Sequence, residues 1–262
     1  MKLSISNIAW TSENDSAVYG LMKKNGYSGL EIAPTRIFPE KPYDRLSEAK
    51  KWADHLRESN GFSVPSMQSI WYGRQEKLFG TDEERAALAD YTKKAIDFAE
   101  AIGCGNLVFG CPRNRILPES ADENIAIGFF KELGDYAALH HTVIGMEANP
   151  PLYNTNYIND TKSAFALIEK VHSAGFKLNL DLGTMIENEE TADELQGKVG
   201  LISHVHISEP GLKAIEQRKL HREVIKVLNR ENYPGFVSIE MGNAAGIDGI
   251  ETAMRYVREI VE

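Results

Sequence analysis

The chain has almost no cysteine. Its two thiols, Cys104 and Cys111, flank a short apolar run and are too few for a disulfide scaffold, which excludes the small cross-linked secreted folds and fits a reducing compartment. Long apolar runs are missing as well. Nothing approaches the roughly 18 residues of a membrane helix, and the N-terminal MKLSISNIAW alternates where a signal peptide would be continuously apolar. A cytoplasmic protein with no membrane partner is expected. Positive charge is in deficit, with 29 Lys and Arg against 38 Asp and Glu and a formal net charge of -9. Nucleic acid is therefore a poor partner, because its phosphates need a cationic surface. No low-complexity tract, linker or composition shift divides the chain. The 42% hydrophobic content is enough for one large core, and 262 residues lie close to the roughly 250 of one closed α/β barrel.

Periodicity then organises the chain. Eight short apolar or alternating runs stand out: KLSISNI (2–8), GLEIA (29–33), SVPSMQS (63–69), NLVFG (106–110), TVIGME (142–147), KLNLDL (177–182), ISHVHI (202–207) and GFVSIE (235–240). Between them lie segments such as SEAKKWADHLRESNG and DEERAALADYTKKAIDFAEAIG, with apolar residues every three or four positions and a glycine after the last turn, the pattern of helices. Strands alternating with helices about every 33 residues predict a parallel sheet, and eight of them permit closure. The expected fold is an α/β single domain over 1–262, a (β/α)8 TIM barrel. An open doubly wound sheet is the runner-up, weakened because ISNIAWTSEND, not a glycine-rich phosphate loop, follows the first strand.

In such a barrel the active site lies where strands end. The last four strands close on Glu147, Asp181, His206 and Glu240. Counting back by two, on the same face, gives Gly145, Asn179, His204 and Ser238, all small or polar, whereas the opposite faces carry Ile144, Met146, Leu178, Leu180, Val205, Ile207, Val237 and Ile239. The polar face is the barrel interior. His206 would stand at the mouth, with His204 beneath it as a partner or a hydrogen-bonded core residue. Three carboxylates converging in a dry mouth must protonate or find a cation, so the four strand-end residues predict one divalent metal site. Mostly oxygen donors with one nitrogen suit Mn²⁺, Mg²⁺ or Co²⁺, with Zn²⁺ also compatible.

The segments GMEANP, LDLGT, HVHISEP and VSIEMG, in that order, resemble the xylose isomerase-like barrel superfamily, the sugar phosphate isomerase/epimerase group that also contains ketose 3-epimerases, hydroxypyruvate isomerases and endonuclease IV. The likeness covers nearly the whole chain and extends to GLEIAPTR and SMQSIWYG. It implies that Glu147, Asp181, His206 and Glu240 bind the metal and that the two glutamates exchange a substrate proton. A keto sugar would chelate the cation, a cis-enediolate would form, and the second glutamate would return the proton, inverting the carbon or moving the carbonyl.

Further residues are expected around the sugar. Gln68 would hydrogen-bond hydroxyls, and Trp10 and Trp71 would wall the pocket with apolar faces. Glu31, which shares inward parity with Gly29, and Glu209 and His221 in the loop after the seventh strand would orient substrate, with Arg113 a candidate anion contact. The partner is a small-molecule carbohydrate; the sequence leaves a homo-oligomer open. One departure stands out: the ketose 3-epimerases usually carry a histidine three residues after the strand-six aspartate, where this chain has Thr184, a hydroxyl that cannot donate charge. The competing classes are a metal-dependent lyase, dehydratase or hydrolase on the same barrel, and a sugar-binding barrel without catalysis. A nuclease of the superfamily needs further histidines where Gln68 and Gly110 stand.

Overall fold

A computed structural model describes all residues, 1–262. The regular elements are, in order, β1 (Lys2–Ser6), α1 (Asp15–Lys24), β2 (Gly29–Glu31), α2 (Pro34–Ile37), α3 (Leu46–Asn60), α4 (Asp82–Ile102), β3 (Leu107–Phe109) and α5 (Asn124–Leu139). They continue as β4 (Ile144–Met146), α6 (Thr161–Val171), β5 (Phe176–Asp181), α7 (Leu182–Glu187), β6 (Ile202–Ile207), α8 (Lys219–Arg230), β7 (Phe236–Ile239) and α9 (Gly246–Val261). Both helices read from periodicity are present, and each ends as expected on a left-handed glycine, Gly61 after α3 (φ 75°) and Gly103 after α4 (φ 69°). Thr81 and Glu84 cap the start of α4 reciprocally. No helix is long and apolar enough to cross a membrane.

All strand pairs are parallel, in the order β2-β1-β7-β6-β5-β4-β3. The regular sheet therefore has seven strands, one fewer than the eight runs. The missing member is SVPSMQS. Pro65 offers no backbone N–H, so this segment cannot sustain a ladder on both sides. It contributes isolated parallel bridges instead: Ser63 to Gly29, and Met67 to both Ile32 and Leu107. Ile32 donates to the Ser66 carbonyl at 3.2 Å and Gln68 to Ile32 at 2.8 Å, while Met67 donates to Asn106 at 2.9 Å and Val108 to Met67 at 2.8 Å. These bonds join β2 to β3 and close the ring as a TIM-barrel-like fold.

The strand faces divide as the alternation predicts. Ile144, Met146, Leu178, Leu180, Val205, Ile207, Val237 and Ile239 belong to one cluster of 69 buried apolar residues shared with the surrounding helices. The lumen is polar: Ser4, Ser6, Glu31, Ser66, Asn179, His204, His206 and Ser238 are all buried. A polar lumen forgoes the branched aliphatic filling usual for this fold. A register shift between β5 and β6 leaves Ser203 as an extra residue below the histidine pair, so that His204 lies opposite Asn179 and His206 opposite Asp181.

Candidate metal centre and its cavity

The centre is built from four strand ends. Glu147 follows β4, Asp181 ends β5, His206 lies in β6 and Glu240 follows β7. One ligand-capable atom from each lies within 4.8 Å of all the others. His206 is fully buried, and its Nδ1 stands 3.3 Å from Glu147 Oε2 and 3.2 Å from Glu240 Oε2. Backbone bonds past the regular strands hold both glutamates in place, Glu147 N to Phe109 O and Glu240 N to Ile207 O, each at 3.0 Å. Gly110 leaves room for Glu147, because a Cβ there would come within 2.9 Å of Glu147 Oε1 and displace the carboxylate.

Glu31 explains why Nδ1 faces the acids. The Nε2 side of His206 meets Glu31 Oε2 at 2.9 Å, so a proton on Nε2 is held there and the Nδ1 lone pair is free to ligate. His204 Nε2 also lies 2.9 Å from Glu31 Oε2 but is too poorly aligned to hydrogen-bond. The other Glu31 oxygen accepts from Gln68 Nε2 at 3.1 Å. Glu31, His204 and His206 form a second group of metal-capable residues, wholly buried. Replacing Glu31 with glutamine is expected to weaken Mn²⁺ binding by about 10–100-fold, the usual cost of losing a ligand's orienting partner. A fluorescence or calorimetric titration that gave parental affinity would remove Glu31 from this role.

Electrostatics favours a cation at this point. Burial opposes charge on His206, yet Glu31 and Glu240 outweigh it and hold the imidazole well above its usual range. Burial likewise would raise Glu31, but His206 and His204 pull it well below the carboxylate range. Asp181 rises to about 6 through burial and the Glu147 charge, and Glu240 to about 7 through burial, against the pull of His206. Without a metal, a proton on His206 supplies the positive charge the acids require; the donor set fits a divalent cation that would displace it.

These shifts set a pH dependence. Unfolded carboxyls titrate near about 4, so between there and about 7 Asp181 and Glu240 keep protons that the unfolded chain has released, and their contribution to stability falls as pH rises through that window, while the buried His204 and His221, both shifted down, contribute in the opposite sense. His206, raised in the fold, acts in the same direction as the two acids at higher pH. Protons compete with the cation for these side chains, so Mn²⁺ is expected to raise Tm more at about pH 8 than at about pH 5.5. Scanning calorimetry with and without Mn²⁺ checks this; an equal increment at both values would refute it.

A cavity of about 190 Å³ opens over Glu147, Asp181 and Glu240, with His206 buried beneath, and Gln68, Asn149, Tyr153 and Glu209 are among the other residues lining it. Gln68 donates its amide to Ser6 (2.7 Å) and Glu31, leaving the carbonyl oxygen for a ligand. Glu209 is engaged on both oxygens by Arg218, at 2.6–2.9 Å, and is 2% exposed, so its carboxylate serves the loop first. Asp181 caps α7 through Thr184 N (2.6 Å) and accepts from Ser208 Oγ. Thr184 donates its hydroxyl to Ala148 O at 2.8 Å and is buried, so its proton is committed to the backbone.

Several expected contacts lie elsewhere. Glu31 does not reach the cavity, because it is fully buried behind His206. Trp10 sits outside it, donating to Asp15 at 2.7 Å under the Arg36 guanidinium. Trp71 is a packing residue: its indole donates to Thr92 at 2.8 Å and its ring meets Phe109 edge-on. It borders, with Arg113, a neighbouring cavity. His221 is fully buried against the Tyr256 hydroxyl at 3.2 Å, and burial pushes it down to about 4, so it neither lines the cavity nor carries charge at neutral pH.

Other supporting residues escaped the sequence reading. Asn149 donates to Glu147 Oε1 at 3.0 Å and accepts from Arg115 Nη2 at 2.8 Å. Two residues past Glu147 in GMEANP, it has the parity that would have found it. Arg115, fully buried, also donates to the Glu147 carbonyl at 2.9 Å. In GCPRNR the exposed Arg113 drew the reading, but the turn at Cys111 (φ 46°) and the short helical turn Pro112–Asn114 carry Arg115 inward instead. Asn179, which parity already places on the inner face below Asp181, donates to Glu147 Oε2 at 2.9 Å and approaches His206 Nδ1 at 3.3 Å.

Comparison with known proteins agrees with the architecture. Residues 20–260 match the family described as xylose isomerase-like TIM barrel. The fold is similar to that of a 3-keto-D-glucoside 4-epimerase from E. coli, at 19% identity and TM-score 0.79 over 99% of each chain. It is similar also to a D-psicose 3-epimerase from Clostridium cellulolyticum H10, at 15% identity and TM-score 0.79 over 100% of each. A zinc-bound IolI protein aligns at 16% identity and TM-score 0.73, over 100% of this chain and 98% of that one. No curated protein matches by sequence. Identities this low carry the fold, not the activity.

Proposed function

Because this chain belongs to the xylose isomerase-like TIM barrel family, we propose that it is a divalent-metal-dependent isomerase or epimerase acting on a keto sugar or a related carbohydrate. One observation carries the reading: three carboxylates converge on the Nδ1 face of a buried histidine whose other nitrogen is held by a fourth. Glu147, Asp181, His206 and Glu240 would hold the cation, with Mn²⁺, Mg²⁺ or Co²⁺ suiting the donors. When bound, the metal supplies positive charge against the anion that develops as a carbon-bound proton leaves.

The chain's own residues do the rest. β5 and β6 separate the strands that carry Glu147 and Glu240, so the two carboxylates reach the cavity from different parts of the wall. One takes a proton from the carbon beside the carbonyl, and the other returns one, to the same carbon or its neighbour. Asn149 and Asn179 donate to the two oxygens of Glu147 and orient it. Gln68 offers its carbonyl oxygen to a sugar hydroxyl. The Thr184 hydroxyl, bonded to Ala148 O, is not available to substrate, which separates this site from the usual ketose 3-epimerase pattern.

The test is solvent-deuterium incorporation across a panel of ketoses and keto sugars with Mn²⁺-loaded protein. Metal-dependent exchange into at least one compound is expected. No exchange across the panel, with metal demonstrably bound, would overturn the isomerase reading and favour a lyase, a hydrolase or a binder.

A further inference from the structure

Two cavities of opposite character meet at the barrel mouth. The one over the metal centre is lined by Glu147, Asp181, Glu209 and Glu240 and by no lysine or arginine. Its neighbour, of about 510 Å³, is lined by Arg74, Lys77 and Arg113 and by no carboxylate. They share Ser69, Cys111 and Pro112 and so adjoin one another. In a chain with a formal charge of -9, three cations facing one hollow call for a reason.

The cations are poorly neutralised from within. Only Arg74 has an acidic partner, Glu76, and its Nε is buried with no acceptor. Lys77 Nζ donates to the Arg113 carbonyl at 2.8 Å, and neither Lys77 nor the Arg113 guanidinium pairs with any carboxylate. The walls are nonetheless rigid. Asn114 Nδ2 donates to the carbonyls of Arg74 (3.1 Å) and Glu76 (2.8 Å), and Leu78 N to Asn114 O (2.8 Å), tying the two loops together. At the junction Ser69 (φ 56°) and Cys111 (φ 46°) both adopt the left-handed backbone that costs a non-glycine residue energy, as positions held for a binding site do.

The geometry points to an anion subsite: the substrate carries, beyond the keto-sugar unit, an oxyanion that Arg113, Lys77 and Arg74 bind in the second cavity. This rests on the keto-sugar reading of the first cavity. That cavity alone, at about 190 Å³, is smaller than pockets that enclose larger ligands, and the adjoining one, at about 510 Å³, offers room for a substituent on the sugar. Guanidinium and ammonium groups match the oxygens of a phosphate ester and of a sugar-acid carboxylate alike.

The experiment titrates Mn²⁺-loaded protein calorimetrically with inorganic phosphate, with glucuronate and with neutral methyl glucoside, for the parent and for Lys77→Met with Arg113→Met. Both side chains are exposed, so the variant is expected to fold and to keep parental Mn²⁺ affinity. Anion affinity is expected to fall by about tenfold or more, as loss of charge-assisted hydrogen bonds requires. Binding of phosphate alone assigns a phosphate ester, and of glucuronate alone a carboxylate; both support the subsite. No anion binding by the parent, equal binding by the variant (an anion on the metal itself), or preference for methyl glucoside would overturn it. Deuterium exchange into neutral keto sugars separates the two readings: lost exchange with variant-sensitive anion binding sinks the reaction and leaves the subsite, while the converse sinks the subsite alone.

Discussion

Glu240→Gln is expected to lower metal-dependent proton exchange by about 10²–10⁴-fold at saturating Mn²⁺, the range that a positioned acid/base contributes. Glutamine keeps the size of the side chain and an oxygen for the cation but cannot accept a proton from carbon. Its only close partner is His206 Nδ1, at 3.2 Å, so the fold should survive the change. The loss should appear in kcat with KM little altered, since the glutamine still fills its place over the cavity. Deuterium incorporation followed by NMR is the measurement. A rate within tenfold of the parent, with metal bound, would assign the proton transfer to another group.

The second large effect concerns the core of the centre. His206→Ala should destabilise the protein by about 3–5 kcal/mol, because it strips the well-aligned partner from a carboxylate sealed inside the barrel. Glu31 is fully buried, and what remains to it is the Gln68 amide and a misaligned His204. Stabilisation by Mn²⁺ should vanish as well. Adding Glu31→Gln to His206→Ala should restore part of the loss, because a neutral amide is cheaper to bury than an unpaired charge. Urea denaturation of the parent and the two variants, with and without Mn²⁺, checks these statements. A change below about 1 kcal/mol in His206→Ala, with Mn²⁺ affinity intact, would show that the charge network around Glu31 does not depend on this histidine.

Much of this was legible along the chain. Strand periodicity and the acids at strand ends group Glu147, Asp181, His206 and Glu240, because alternation places residues two apart on one face and parallel strands align their ends. The same logic failed at SVPSMQS, where a proline breaks the ladder while leaving the alternation visible. It also could not tell that the Trp71 indole N–H is committed to Thr92, or that Arg115, two residues after the exposed Arg113, turns inward to the Glu147 carbonyl.

By itself, then, the sequence determined the barrel, its polar lumen and the four metal-capable residues gathered at its mouth, since these depend on the order and parity of residues along each strand. Only the tertiary structure decided which imidazole nitrogen faces the acids, that Glu31 stands behind the centre, and that an acidic hollow adjoins a basic one. Those depend on contacts between staves and loops distant in the chain, such as Glu31 with His206, whose partners no local pattern announces.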